Sequence, residues 1–187
     1  MIATLRTKRL TLRPMCADDV PAFVPLLDDF EVVRNLTHIP HPYTEADGRA
    51  FIARTEQKRS EGLSLNYAVL LGGESFIGFC TANIEDERGE RHLGSRELGY
   101  WYGRPFWGRG YATEAAQVVV EHAFDALGAA ALTSGFYVDN PASGRVLEKL
   151  GFKQTGTAER NCLSRGCIVI ANEVLLTREA FAGRARA

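Results

Sequence analysis

Between Tyr100 and Thr113 the chain reads Y-W-Y-G-R-P-F-W-G-R-G-Y-A-T, a stretch suited to holding an anion. Gly103, Gly108 and Gly110 punctuate a loop that follows a strand-like run, Tyr100, Trp101 and Tyr102. The loop opens directly into a helix expected from Thr113 to Leu127. A helix start leaves backbone N–H groups unpaired and carries partial positive charge, so such an entry suits a phosphate or diphosphate. Glycine allows close approach of the backbone and positive φ. A tight structural turn would use the same glycines, and the spacing leaves both readings open. The ATP-type loop G-x-x-x-x-G-K-[ST] is absent, since no lysine lies between Lys58 and Lys149. A dinucleotide loop is absent too, because Thr113 stands where its third glycine would be.

Metal and thiol chemistry find little support. Cys16, Cys80, Cys162 and Cys167 form no C-x-x-C pair and read as reduced thiols. His38 and His41 share a loop at i, i+3, but no second ligand pair follows, so no metal is expected. Ser143 has no G-x-S-x-G setting for a nucleophile. Glu85, Asp86, Glu87 and Glu90 form an acidic run, read as a solvated hairpin tip or an attractor for a polyamine or basic peptide.

These residues need elements to position them. Leu10 and Leu12 alternate with polar residues as a half-buried strand stopped by Pro14. Asp18 and Asp19 cap a helix carrying Val20, Phe23, Val24 and Leu27 on one face. Val33 to Tyr43, with Pro40 and Pro42, reads as a loop. Thr44 and Asp47 begin a helix that Gly62 ends. Leu65–Leu71 and Phe76–Ile84 form a hairpin around Gly72 and Gly73, and Glu97–Tyr102 is the next strand. Gly128 closes the long helix; a strand from Ala131 to Val138, a helix from Asn140 to Leu150, and strands at Phe152 and Ile168–Leu176 complete the order. Hairpins followed by strand–helix–strand indicate an α/β (α+β) fold, a mixed and largely antiparallel twisted sheet flanked by helices, rather than a doubly wound parallel one.

Four stretches together resemble the GNAT superfamily of acetyl-CoA-dependent N-acetyltransferases, in its RimJ/RimL-type branch. They are T-K-R-L-T-L-R-P from Thr7, E-L-G-Y-W from Glu97, W-G-R-G-Y-A-T-E-A from Trp107 and N-P-A-S-G-R-V-L-E-K-L-G-F from Asn140, in the family's order. The superfamily's loop is Q/R-x-x-G-x-G/A, with Trp107 here at the Gln/Arg position. The resemblance implies acetyl-CoA as cosubstrate, its diphosphate held by the main chain of Gly108, Arg109, Gly110, Tyr111, Ala112 and Thr113, with Arg104 a further source of charge. It implies that the backbone of Tyr100, Trp101 and Tyr102 binds the pantetheine arm and thioester carbonyl, where a fixed N–H would stabilise an oxyanion. Asn140 matches an asparagine that contacts the coenzyme arm, although Asn140-Pro141 is also a good helix cap and first turn.

For catalysis, Glu97 is the candidate base, directly or through a water; pairing with Arg96 or Arg13 is its plain structural alternative. A free α-amine of pKa near 7.8 is already neutral in about one molecule in seven at pH 7, against about one in 2,500 for lysine. The superfamily tyrosine that protonates the thiolate is replaced by Leu147, whereas the branch offers a serine matched by Ser143; Tyr111 and Tyr137 are substitutes. The family's acceptor wall corresponds to Val33–Tyr43, giving His38, His41 and Tyr43 as lining residues. The acceptor is a protein N-terminus or a small amine such as an antibiotic, polyamine or amino acid; a silent acyl-CoA-binding module is the third reading, motivated by Trp107 and Leu147.

Composition is that of an ordinary soluble globular protein, 45% hydrophobic and 24% charged. The 187 residues suit one domain, expected over 1–179 with a small basic tail at 180–187, able to bury roughly 70% of its unfolded surface. A net charge of −1 gives no footprint for nucleic acid or an acidic membrane. The chain lacks an 18-residue apolar run and a signal-like N-terminus, so a cytoplasmic monomer or homodimer is expected.

Overall fold

The computed structural model describes residues 3–83 and 95–184. Eight strands form one sheet: β1 (Leu5–Arg6), β2 (Leu10–Pro14), β3 (Ser64–Leu71), β4 (Ser75–Asn83), β5 (Ser95–Tyr102), β6 (Ala131–Tyr137), β7 (Lys153–Cys162) and β8 (Cys167–Thr177). The helices are α1 (Val20–Leu27), α2 (Phe30–Val33), α3 (Glu45–Ser60), α4 (Tyr111–Asp125), α5 (Pro141–Lys149) and α6 (Arg178–Arg184). The sheet order is β1-β2-β3-β4-β5-β6-β8-β7, antiparallel at every junction except β5 with β6.

Strand periodicity explains how both faces are covered. Leu65, Tyr67 and Val69 of β3 pack with Ala115, Ala116, Val119 and Val120 of α4 and with Leu147 and Leu150 near α5. The alternate residues Ala68 and Leu70 pack with Phe23 and Leu27 of α1 and Ile52 of α3. Central β3 is therefore buried almost throughout, which is why it reads as a nearly continuous apolar run.

The helix starts differ in a way that matters for the site. Asp29 caps α2, Thr44 and Asp47 form the expected capping box on α3, and Asn140 caps α5. α4 instead begins at Gly110, with φ of 78° and no side-chain cap. It starts two residues before the expected Thr113. Forgoing a cap costs about 1 kcal/mol. Burying Val119, Val120 and Phe124 outweighs that, at about 1.5–3 kcal/mol for each side chain of this size.

Several elements depart from the sequence expectation, among them the two-residue β1, which nothing in the sequence indicated. β7 occupies ten residues, where only Phe152 suggested a strand. The Val33–Tyr43 loop is preceded by the short α2, and the chain after Thr177 turns into α6, whose Phe181 stacks on Phe124 at 5.0 Å. The acidic run Glu85, Asp86, Glu87 and Glu90 lies outside the described residues.

Gly78 in β4 shows how tightly β5 is seated. A Cβ there would lie 2.4 Å from the Trp101 carbonyl oxygen and 2.5 Å from the Tyr102 ring. Gly78→Ala is expected to destabilise the protein by about 1–3 kcal/mol. Urea unfolding measures this, and an unchanged midpoint would show that β5 does not sit this close to β4.

Candidate active site

β5 and β6 pair only at Ser95 with Ala131, Arg96 with Leu132 and Glu97 with Thr133. Beyond these residues β5 stays with β4 as far as Tyr102, while β6 stays with β8 as far as Tyr137, so the two strands part. Ser134 Oγ donates to the Leu98 carbonyl at 2.8 Å at the apex of the gap. Main-chain groups alternate in direction along a strand, so Tyr100, two residues on from Leu98, turns its N–H and C=O to the gap. Gly103 N–H bonds Ile77 O at 3.0 Å, which puts the odd-numbered residues, Trp101 among them, on the β4 side. Of the three aromatics, Tyr100 and Tyr102 therefore turn their backbone to the gap, and the Tyr102 carbonyl is taken up by Trp107. Trp101 packs its ring near Phe23 and Phe76, and Tyr102 is buried against α4.

At the same end of the sheet stands the start of α4. Gly108 and Gly110 have φ of 71° and 78°, and a Cβ on Gly108 would meet no protein atom within 4 Å. The first intrahelical bond runs from Glu114 N–H to Gly110 O at 3.1 Å, so the amides of Tyr111, Ala112 and Thr113 precede the helical ladder. An uncapped helix start behind open space fits a diphosphate. Trp107 Nε1 donates to the Tyr102 carbonyl at 2.6 Å, tying the loop to the end of β5. Arg104 turns away, its Nε 2.8 Å from Asp29 Oδ2.

Ser143 lies in the first turn of α5, its N–H 3.3 Å from the Asn140 Oδ1 that caps the helix. The Tyr100 hydroxyl reaches the same residue, donating to Ser143 O at 3.1 Å and lying 3.0 Å from Ser143 Oγ. Burial drives the Tyr100 hydroxyl far above the ordinary tyrosine range, outweighing its bond to Ser143. Tyr100 thus stays protonated and orients Ser143 as a hydrogen-bonding group.

On the opposite face, a small cavity of about 50 Å³ opens where the strands part. Glu97, Tyr137 and Arg160 line it with Asn35 and Thr37 from the α2–α3 loop, over a floor made shallow by Gly135 and Ala171. The Arg13 guanidinium forks onto Asp19 at 2.5 and 2.8 Å, so it is committed elsewhere than Glu97. The Tyr137 hydroxyl donates to Thr37 Oγ1 at 3.3 Å, and burial pushes it up to about 12.

The family description "Acetyltransferase (GNAT) domain" matches residues 9–153. The chain belongs to the GNAT acetyltransferase family. It is 28% identical over 184 residues to the uncharacterized N-acetyltransferase p20 of Bacillus licheniformis, covering 96% of this chain and 99% of that one. Its fold is similar to Mycobacterium smegmatis RimJ in complex with CoA-disulfide, with TM-score 0.80, 21% identity and coverage of 95% and 90%. It is also similar to RimL, a ribosomal L7/L12 α-N-protein acetyltransferase in complex with coenzyme A, with TM-score 0.81, 19% identity and coverage of 95% and 99%. The chain is an N-acetyltransferase of GNAT type, a family that uses acetyl-CoA, and among the described residues no metal-binding group occurs. No described helix is long and apolar enough to cross a membrane.

Against this family frame, the residues singled out in the sequence separate. Gly108 to Thr113, Tyr100, Asn140 and Ser143 converge at one end of the sheet. Tyr111 is buried beneath Arg9, whose guanidinium lies 4.5 Å from its ring centroid. His38 does not line the cavity; burial first and then the charge of Arg160 lower its pKa. His41 lies 3.5 Å from Asp28 and 5.4 Å from Phe30, and Tyr43 is buried beside Phe23; neither lines the cavity. Asn35, Thr37, Arg160 and the Tyr100 hydroxyl escaped the sequence reading. Asn35 and Thr37 lie inside the Val33–Tyr43 loop, and no spacing or motif in the sequence marks them. The two departures from the superfamily pattern have structural work to do: Trp107 bonds Tyr102, and Leu147 is 1% exposed in the core.

Proposed function

We propose that this N-acetyltransferase acetylates the α-amine of a protein N-terminus by direct attack on acetyl-CoA. The observation that supports this most is the size and polarity of the acceptor cavity. At about 50 Å³ it is far smaller than the roughly 300–1,000 Å³ sites that enclose drug-sized ligands. It suits a single small residue at a chain end, with Asn35 and Thr37 beside the following peptide group and Arg160, paired with Glu173 at 3.2 Å, in the wall. The RimL structure of similar fold is named for the same chemistry, as an α-N-protein acetyltransferase.

In this reading, the main chain from Gly108 to Thr113 holds the diphosphate, with Asn140 beside the arm. The coenzyme supplies an acetyl thioester. Tyr100 N–H is the donor for the thioester carbonyl as negative charge develops there. Glu97, on the acceptor side of the sheet, accepts the proton that the incoming neutral amine loses as its nitrogen bonds to the acetyl carbon and the C–S bond breaks. Ser143 donates a hydrogen bond to the departing sulfur when its Oγ accepts from the Tyr100 hydroxyl, which leaves its own proton to give. Because Tyr100 is so weak an acid, the thiolate draws its proton from solvent in the end, and Ser143 only eases the separation of charge. His38 borders the acceptor route beside Arg160.

The deciding experiment measures free thiol from acetyl-CoA with N-terminal peptides and a panel of small amines. Turnover is expected with Ala- or Ser-initiated peptides, with kcat/KM rising about tenfold per pH unit and levelling near pH 8, where the α-amine is neutral. Turnover confined to small amines would overturn the acceptor assignment, and CoA binding without turnover on any amine would favour a silent module. Ser143→Ala and Tyr100→Phe are each expected to lower kcat about three- to tenfold with acetyl-CoA affinity kept, the worth of one hydrogen bond. Unchanged kcat in both variants would remove the pair from the chemistry.

A further inference from the structure

The segment between β1 and β2 grips the start of α4 through an unusual concentration of contacts. Glu114, in the first turn of α4, accepts from Thr7 Oγ1 at 2.6 Å and from the Arg9 main-chain N–H at 2.9 Å, both on Oε1. Its other oxygen, Oε2, accepts from Arg9 Nε at 2.6 Å. Burial pushes the Glu114 carboxyl up, but the bonds from Thr7 and Arg9 outweigh it and hold the group below the usual carboxylate range. The same guanidinium reaches further, donating from Nη1 to the carbonyl of Arg109 at 3.0 Å. It also lies over the Tyr111 ring, and its Nη2 would be 3.5 Å from a Cβ placed on Gly110.

Two physical consequences follow. The Arg109–Gly110 peptide is trans, so its carbonyl and its N–H point in opposite directions. Anchoring the carbonyl on Arg9 therefore turns the Gly110 N–H away from β2, to the other side of the loop. Gly110 carries one end of this peptide, at φ of 78°, and glycine is the residue that rotates most freely. Without the anchor, a flip would aim a carbonyl oxygen at the place where an anion is to bind. The second consequence is electrostatic. A carboxylate in the first turn of a helix competes with an anionic ligand for the same positive end. Arg9 neutralises Glu114, and together with Thr7 it holds that carboxylate against the β1–β2 turn.

We propose that Arg9 is a positioning residue for the coenzyme: it locks the Arg109–Gly110 peptide in the orientation that presents an N–H to the diphosphate, and it keeps Glu114 from repelling that group. The proposal rests on the coenzyme site described above. It makes the N-terminal strand pair part of the binding machinery, although Arg9 itself sits outside the Gly-rich loop by a hundred residues of chain.

Arg9→Lys is the discriminating variant, because a lysine keeps the charge opposite Glu114 but cannot fork to the Arg109 carbonyl as well. Calorimetry on the full chain with CoA, and NMR titration with pantetheine, which carries the thiol arm without a diphosphate, separate the roles. The expected result is CoA affinity about tenfold weaker in Arg9→Lys, with pantetheine affinity unchanged. Thr7→Val, which removes one bond to Glu114, is expected to weaken CoA two- to threefold, and it carries the test should Arg9→Lys fail to fold. Equal CoA affinity in a folded variant and the wild type overturns the clamp alone. Weakening of CoA and pantetheine by the same factor also overturns it, since that is what a general loss of structure gives. Wild-type protein that does not bind CoA overturns the coenzyme reading, and the clamp with it.

Discussion

The parting of β5 from β6 after three paired residues is the constraint on which the rest depends. Because the two strands are parallel, their C-terminal ends lie at the same edge of the sheet, and the helix that follows each one starts there. The loop into α4 and the turn into α5 thus converge on one gap. Outside the C-terminal ends of strands, at a point where neighbouring connections diverge, a sheet offers its natural crevice for a ligand. The gap here is kept open by specific bonds: Ser134 to the Leu98 carbonyl at its apex, Trp107 to the Tyr102 carbonyl at its mouth. Between them lies the free edge of Tyr100.

The two helix starts at this edge have divided their tasks. α5 spends the side chain of Asn140 on its own first turn, and gains a fixed place for Ser143. α4 starts on a left-handed glycine with no side chain to offer its amides. A helix start of that kind is acceptable because α4 is held by its buried face, not by its end. What the fold forgoes locally becomes binding capacity for an anion, and the charge that would oppose such an anion, Glu114, is compensated by Arg9 from the neighbouring strand. On the reverse side of the sheet, small residues do the corresponding work: Gly135 and Ala171 leave room where larger ones would fill the cavity.

Much of this was legible in the chain. The helix of α4 declares itself through Ala115, Ala116, Val119, Val120, Ala123 and Phe124, spaced to bury one face. The Gly-rich entry and the Asn140-Pro141 start of α5 were equally plain, since turns and caps demand particular residue types. β7 was not legible, because it is an edge strand bonded only to β8 and largely exposed, so Lys153–Cys162 shows little apolar alternation. Arg160 was hidden along with it. The histidines of the α2–α3 loop carry chemistry legible from residue type, but which side chains of a loop turn inward is settled by tertiary contacts such as Tyr137 to Thr37. The cross-chain bonds of Arg9 to Arg109 and Glu114 span about a hundred residues and leave no local pattern.

The most direct test of the account is an amide NMR titration of the full chain with CoA. The largest changes are predicted at the N–H groups of Gly108, Gly110, Tyr111, Ala112 and Thr113, saturating together with those of Tyr100 and Asn140. Saturable CoA binding that leaves the amides from Gly108 to Thr113 unmoved, or no binding at all, would contradict it.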